Sequence, residues 1–269
     1  MNTQEFFNLL QEEIKTDSEL KKYYNLSDNQ RLFEFRKAYF CQRMEYLINQ
    51  ISNPNAFIWD CGCGFGTISF FLAMNGIKSH GTTIGDHYFN GIKRRINFWN
   101  KYGDTSLFTY SYENLFDISP TPNTYNYIIL QDTLHHLEPI QEVFDIFHKA
   151  LKSEGKIILL EANGSNIIHR IKLYCQRGNK KIIEKYDEYL GKNLLYGNEN
   201  YRSIEKWKKE LQNGGFSIDQ TQYIKFLLPF FYTGKNTDNL IKLEQKLSKD
   251  SPFLRKYFFF GLNFVAVKD

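Results

Sequence analysis

Proline is scarce in this chain of 269 residues, which holds six, and cysteine is scarcer still, with four. Four thiols, two of them one residue apart at Cys61 and Cys63, make no disulfide framework in a chain this long, so a reducing cytoplasm is the expectation. No apolar run approaches the roughly 18 residues that a membrane span needs; Phe70–Met74 and Phe226–Tyr232 are the greasiest stretches, and both are short. The opening Met-Asn-Thr-Gln-Glu has neither the basic nor the apolar region of a secretory signal. An excess of one charge is lacking too: 34 basic residues face 30 acidic ones, for a net +4. That balance argues against nucleic acid as partner, where a clustered basic patch is expected. The length suits one large domain, or one domain plus an appendage, and 42% hydrophobic with 24% charged residues is ordinary for a globular protein.

The first fifty-odd residues read as helix. Asn2-Thr3 can cap Gln4–Ile14, where Phe6, Phe7, Leu10 and Ile14 recur at helical spacing, and a longer pattern runs from near Asp28 to Ile51. From Phe57 short apolar runs (Phe57–Trp59, Ser79–Ile84, Leu107–Tyr110, Tyr127–Leu130, Ile157–Leu160) alternate with helical stretches at Thr67–Asn75, Asp86–Tyr102 and Ile140–Leu151. Gly76 and Gly103 sit where helices would end. This alternation predicts an α/β fold, a mostly parallel sheet with helices on both faces. Asn166–Leu195 reads as a basic helix; Ser203 caps Ile204–Gln212, Phe216–Phe226 reads as a strand, Thr237–Leu247 as a helix and Tyr257–Val267 as the last strand. The expected division is a helical lid segment over residues 1–55 and an α/β domain over 56–269, with a helical insertion at about 164–202.

The sharpest signal is Asp60-Cys61-Gly62-Cys63-Gly64-Phe65-Gly66, which leads from the first strand straight into a helix. Three positions without Cβ let a ligand approach the main chain, and the helix N-terminus favours a polar or anionic group. A tight packing turn is one reading. A dinucleotide site is another, but its fingerprint is Gly-x-Gly-x-x-Gly with the acid about 20 residues later. Here the spacing is one residue short and the acid comes first. Cys-x-Cys without a second pair lacks the ligand count of a structural zinc site.

The third reading is the one adopted: the segment resembles motif I of the class I S-adenosylmethionine-dependent methyltransferases. Leu151-Lys152-Ser153-Glu154-Gly155 is similar to that family's Leu-Lys-Pro-Gly-Gly turn, and Leu211-Gln212-Asn213-Gly214-Gly215-Phe216 to its Leu-x-x-Ala-Gly-Phe. Tyr257–Val267 resembles its seventh strand, which inserts antiparallel. The resemblance implies a Rossmann-like seven-stranded sheet and S-adenosyl-L-methionine as cofactor. It implies that Asp60 and the main chain of Gly62 organise the methionine end, that Gly64 and Gly66 let the cofactor lie against the turn, and that Gln131 lines the methionine side. Thr83 stands where the family often has an acid for the ribose, with Asp86 as the fallback, and Thr83 and Ile84 would line the pocket. Ser111 and Tyr112 fall where Asp-Ala commonly lies near the adenine.

Methyl transfer is an in-line displacement at a sulfonium carbon, so the protein chiefly aligns the reactants, and a hydroxyl acceptor also needs a base. His136 is the first candidate for that base or for orienting the acceptor, and His135 the second. Asp132-x-x-His135-His136 is similar to the Glu-x-x-Glu-His of some quinone-pathway O-methyltransferases, which can hold a divalent cation; no metal is included in the reading adopted. Acceptor selection is expected from Tyr23, Tyr24 and Tyr39 in the N-terminal helices and from His169, Arg170, Tyr174 and Arg177 in the insertion. That basic face would favour an anionic acceptor. The expected activity is methyl transfer, to oxygen, on a small cytosolic metabolite or a phosphate- or nucleotide-bearing glycan precursor. The alternatives are a lipid- or quinone-type methyltransferase, because Gly81-Thr82-Thr83-Ile84-Gly85 resembles the Gly-x-Thr-x-Ser of cyclopropane fatty-acid synthases, and a cofactor-binding subunit without activity. Neither an (Asp/Asn/Ser)-Pro-Pro-aromatic motif nor a Pro-Cys nucleophile for base methylation is present.

Overall fold

Strand and helix alternate through the middle of the chain because its apolar residues switch between spacings of two and of three to four. The computed structural model describes residues 1–25 and 30–269, so the expected start of the second long helix near Asp28 lies outside the described residues. Three helices come first: α1 (Thr3–Thr16), α2 (Ser18–Tyr24) and α3 (Gln30–Gln50). Asn2 and Glu5 form a reciprocal capping box at the start of α1. The short α2 escaped the periodicity; Asp17 starts it by accepting from the Glu19 and Leu20 main-chain N–H groups.

The α/β unit follows as β1 (Phe57–Cys61), α4 (Thr67–Met74), β2 (Lys78–Thr83), α5 (Asp86–Trp99), β3 (Phe108–Tyr112), β4 (Tyr125–Gln131), α6 (Ile140–Ala150) and β5 (Leu151–Ala162). After it come α7 (Ile167–Arg177), β6 (Ile182–Asp187), β7 (Lys192–Gly197), α8 (Ile204–Asn213), β8 (Phe216–Ile224), α9 (Thr237–Asp250), α10 (Pro252–Phe258) and β9 (Gly261–Lys268). The main sheet has seven strands in the order β3-β2-β1-β4-β5-β9-β8, and β9 runs antiparallel to both of its neighbours. Within β1, Ile58 enters the core beneath α1, α3, α4 and α5, whereas Trp59 enters the core beneath α6 and α8. The same alternation puts Val265 of β9 on the first side and Phe264 on the second. Chain direction around the sheet reverses beside β1, and the crevice at the carboxyl ends of β1 and β4 is where ligands enter such sheets.

Three expectations are corrected. Asn166–Leu195 is not one helix: Gly178, at φ +59°, stops α7, and β6 and β7 then pair as an antiparallel hairpin. In β7, Lys192, Leu194 and Tyr196 are half-buried while Asn193 and Leu195 are exposed, a period of two that the many lysines obscured. Tyr257 and Phe258 close α10, started by Ser251 and Pro252, so the last strand begins only at Gly261. Gly103 ends no helix, since α5 stops at Trp99. Among the described residues no helix is long and apolar enough to cross a membrane.

Candidate active site

The turn after β1 needs its glycines for two different reasons. Gly62, Gly64 and Gly66 all have positive φ, at +75°, +53° and +72°. A Cβ at Gly62 would lie 2.3 Å from Thr133 Cγ2, so packing alone requires glycine there. A Cβ at Gly64 would meet nothing closer than 3.9 Å: this side of the turn is an open cradle. At Gly66 the Cβ would strike the Phe108 ring at 2.7 Å, which places that residue in the core. The main-chain N–H groups of Gly62 and Cys63 both donate to the Thr82 carbonyl at 2.9 Å, locking the turn onto β2. Asp60 lies buried beneath the turn and accepts from Ser69 Oγ at 2.8 Å; burial pushes its carboxyl up to about 7. Burial and then Asp60 also push the Cys61 and Cys63 thiols up.

A cleft of about 280 Å³ opens beside this turn. Of the expected cofactor residues, Gly62, Gly64, Thr83, Ile84 and Gln131 line it, and Tyr23 and His136 share its wall. Asp60 and Gly66 support the turn from behind. Ser111 and Tyr112 are displaced from the role expected of them. Ser111 Oγ bonds His80 Nε2 at 3.1 Å, and the Tyr112 hydroxyl accepts from the Gly85 N–H and donates to Asp187 on the hairpin. The parallel register that pairs Thr83 with Tyr112 carries the chain to the rim one residue later, so Glu113, Asn114 and Leu115 line the cleft instead. Asp86, the ribose fallback, receives Asn90 Nδ2 on α5 and is outside the lining. Tyr24 bonds the Thr67 hydroxyl, and Tyr39 packs against the Arg43 guanidinium at 5.0 Å; neither lines the cleft.

After β4 the chain makes a single 3-10 turn, Leu134–His136, organised by the wholly buried Glu161 at the end of β5. Glu161 accepts from the N–H groups of Thr133 and Leu134 at 3.1 and 2.8 Å, and its other oxygen lies 2.6 Å from His135 Nδ1. His135 is thereby buried behind the cleft rather than in it; burial opposes its charge, but the Glu161 carboxylate raises its pKa above the ordinary value. His136 does face the cleft. Its Nδ1 donates to the Gly197 carbonyl at 2.7 Å, and since a carbonyl can only accept, Nε2 is the nitrogen left with a lone pair. Burial and then the neighbouring His135 lower its pKa below 6.5. The hairpin makes this possible by its close approach: a Cβ on Gly197 would lie 2.1 Å from the His135 carbonyl oxygen, and Tyr196 stacks on His136 at 4.4 Å.

Asp132, at φ +50°, points both carboxylate oxygens at Arg43 of α3, at 2.6 and 2.9 Å. Its carboxylate is engaged there, so Asp132 and His136 are not set to share a cation. His169, Arg170, Tyr174 and Arg177 gather in a different place, a cleft of about 700 Å³ between α7 and the start of α8. Lys181, Arg202, Lys206 and Lys256 line it as well, against a single acid, Glu205. Lys256 pairs with Glu205 and Arg202 with Glu138 and Glu210, whereas Arg170 and Lys181 form no ion pair among the described residues. Aromatic rings connect the two clefts: His169 to Tyr201 at 5.0 Å, Tyr201 to His135 at 4.1 Å and His135 to His136 at 3.9 Å.

Sequence reasoning passed over Arg43, Glu161 and Glu199. A basic residue inside the apolar stripe Tyr39–Leu47 and an acid ending the apolar run Ile157–Leu160 were signals for the first two; Glu199 left none.

A family model described as a methyltransferase domain matches residues 59–157. None of the curated proteins matches the chain. Among solved structures, an S-adenosylmethionine-dependent methyltransferase from Mesorhizobium loti superposes with a TM-score of 0.53 at 16% identity, covering 83% of this chain and 96% of that one. The magnesium protoporphyrin IX methyltransferase of Synechocystis PCC 6803, with SAH bound, gives 0.56 at 16%, covering 88% and 86%. The [4+2]-cyclase SpnF gives 0.57 at 13%, covering 84% and 80%, so the shared fold alone does not specify the reaction.

Proposed function

We propose that the chain, whose residues 59–157 match a methyltransferase domain, is a class I, S-adenosylmethionine-dependent enzyme that methylates an oxygen of a small acceptor bearing an anionic group. One observation carries the reading: His136 presents an unprotonated Nε2 on the wall of the same cleft that the glycine turn lines. The residues fit the cofactor, because the open side of Gly64 leaves a cradle and Thr83, Ile84, Asn114 and Gln131 surround it; these would hold S-adenosylmethionine. When bound, it supplies an electrophilic methyl group on sulfur.

His136 Nε2 takes the proton of the acceptor hydroxyl as its oxygen gains the methyl group, while Nδ1–H stays on the Gly197 carbonyl and keeps the ring aimed. The Glu199 carboxylate, 3.9 Å from that Nε2, offsets the charge the imidazole acquires. The N-terminal helices and the segment over 164–202 select the acceptor: Tyr23 at the cleft mouth, and Arg170, Arg177 and Lys181 for a phosphate or similar anion.

His136→Ala is expected to lower kcat by about 10²–10⁴-fold with cofactor affinity retained. In chelator-treated protein the rate should rise with pH through an acid limb below 6.5 and then level, because His136 is neutral above its lowered pKa and loses its lone pair below it. The variant should lack that limb; undiminished turnover would remove His136 from the mechanism. A screen of phosphorylated, nucleotide-linked and lipid acceptors tests the substrate class. Arg170→Ala combined with Lys181→Ala should raise KM for the preferred phosphorylated acceptor about 10–100-fold with kcat little changed, as expected for lost charge-assisted hydrogen bonds. Equal KM for the two proteins would place the anion elsewhere.

A further inference from the structure

Three metal-ligating side chains converge where His136 meets the wall of the cleft. They are the His135 and His136 imidazoles and the Glu199 carboxylate, with ligand atoms within 4.8 Å of one another, and they form the one such group of His, Cys, Asp or Glu side chains among the described residues. The carboxylate oxygens stand 4.0 Å from His135 Nε2 and 3.9 Å from His136 Nε2, too far for hydrogen bonds. The opposite nitrogen of each imidazole is already engaged, His135 Nδ1 by the Glu161 carboxylate at 2.6 Å and His136 Nδ1 by the Gly197 carbonyl at 2.7 Å. A carboxylate or a carbonyl behind the ring is the outer arrangement that fixes the tautomer of a metal-ligating histidine.

The carboxylate is held toward this gap at a conformational cost. Glu199 has φ +51°, a region that non-glycine residues seldom adopt, and the Tyr201 hydroxyl donates to its Oε2 at 2.5 Å. Glu161 is not available as an inner ligand, because its two oxygens hold the Thr133, Leu134 and His135 nitrogens. Asp132 is turned to Arg43.

We propose that His135 Nε2, His136 Nε2 and the Glu199 carboxylate bind a divalent transition metal of the zinc class. Two imidazoles and one carboxylate are a ligand set for zinc with a fourth position open. Tetrahedral ligands at about 2.0–2.1 Å lie roughly 3.4 Å apart, so the half-buried Glu199, carried on a loop, has to close on each imidazole by about half an ångström. The site joins the hairpin segment to the turn after β4, and His136 belongs to both it and the cofactor cleft. A bound metal would occupy His136 Nε2, so metal and acceptor proton compete for that nitrogen. Metal binding itself requires neither cofactor nor acceptor.

The test uses the full chain stripped with chelator and titrated with Co²⁺ and then Zn²⁺, with S-adenosylhomocysteine binding measured in parallel. The expected result is a single equivalent of Co²⁺ with the intense visible absorption of a four-coordinate site, displaced by Zn²⁺. Glu199→Gln and His136→Ala should each weaken Zn²⁺ binding by about tenfold or more, and Glu199→Gln should leave S-adenosylhomocysteine affinity within about threefold. Both are used because a His135 variant, buried against Glu161, is liable not to fold. Absence of saturable Co²⁺ or Zn²⁺ binding in protein that still binds S-adenosylhomocysteine would overturn the proposal, and so would variants that bind metal like the wild type. Metal bound in the absence of any S-adenosylhomocysteine binding would uphold the metal site and defeat the cofactor reading instead.

Discussion

Glu13→Ala is expected to destabilise the protein by about 3–5 kcal/mol, read as a shift in the denaturant midpoint at unchanged slope. Glu13 of α1 and Arg95 of α5 are both buried, and the guanidinium reaches both carboxylate oxygens, Nε at 2.9 Å and Nη2 at 2.7 Å. Trp99 Nε1 adds a third donor to Glu13 at 3.0 Å. Truncating the acid leaves a guanidinium enclosed without its counter-charge, and that penalty exceeds the value of the pair itself. The double replacement Glu13→Leu with Arg95→Met, which removes both charges and retains apolar volume, should recover most of the loss. Arg95 Nη1 also donates to the Phe65 carbonyl and to Thr67 Oγ1, at 2.7 Å each, so the N-terminal helix is tied through it to the glycine turn. S-adenosylhomocysteine affinity should therefore fall in Arg95→Met even where the protein remains folded. A loss below about 1 kcal/mol in Glu13→Ala, typical of an exposed pair, would show that the pair is hydrated in solution.

Gly62→Val is expected to abolish measurable S-adenosylhomocysteine binding and to lower stability by about 2–4 kcal/mol, combining overpacking with backbone strain. The added Cβ would sit 2.3 and 2.7 Å from the Cγ2 and Oγ1 of Thr133, so the turn or the segment after β4 has to move, and both line the cleft. Gly76→Ala is the matched control. Gly76 has the same φ of +75°, yet a Cβ there meets nothing within 4 Å, so about 1 kcal/mol of conformational strain should be its whole effect. Gly62→Ala with Thr133→Gly should partly restore binding. Calorimetry decides the matter: retained affinity in Gly62→Val would mean that the cleft is not the cofactor site.

How far the chain could be read in advance follows the range of the interactions concerned. The glycine turn, the Asn2 and Ser203 caps and the β/α alternation are local: a missing Cβ, a side-chain oxygen two or three residues from an N–H, a period of two against one of 3.6. So the gathering of Gly62, Gly64, Thr83, Ile84 and Gln131 along one cleft could be read from position relative to strand ends. Ser111 and Tyr112 could not, because the slide of β3 along β2 fixes which residue reaches the rim, and one residue of register exchanges inside for outside. The hairpin over 182–197 was hidden by lysines that suit a solvated helix or a solvated strand equally well.

Taken alone, the order of residues determined the sheet-and-helix architecture, the glycine-lined turn and the presence of two histidines in the segment after the fourth strand. Only the folded chain decided what those histidines do. Arg43 meets Asp132, Glu161 meets His135, and Gly197 and Glu199 meet His136 across long stretches of sequence. Hydrogen bonds between distant segments leave no periodicity for a linear reading to detect, yet they choose the tautomer, the burial and the direction of each imidazole, and with these the chemistry it can perform.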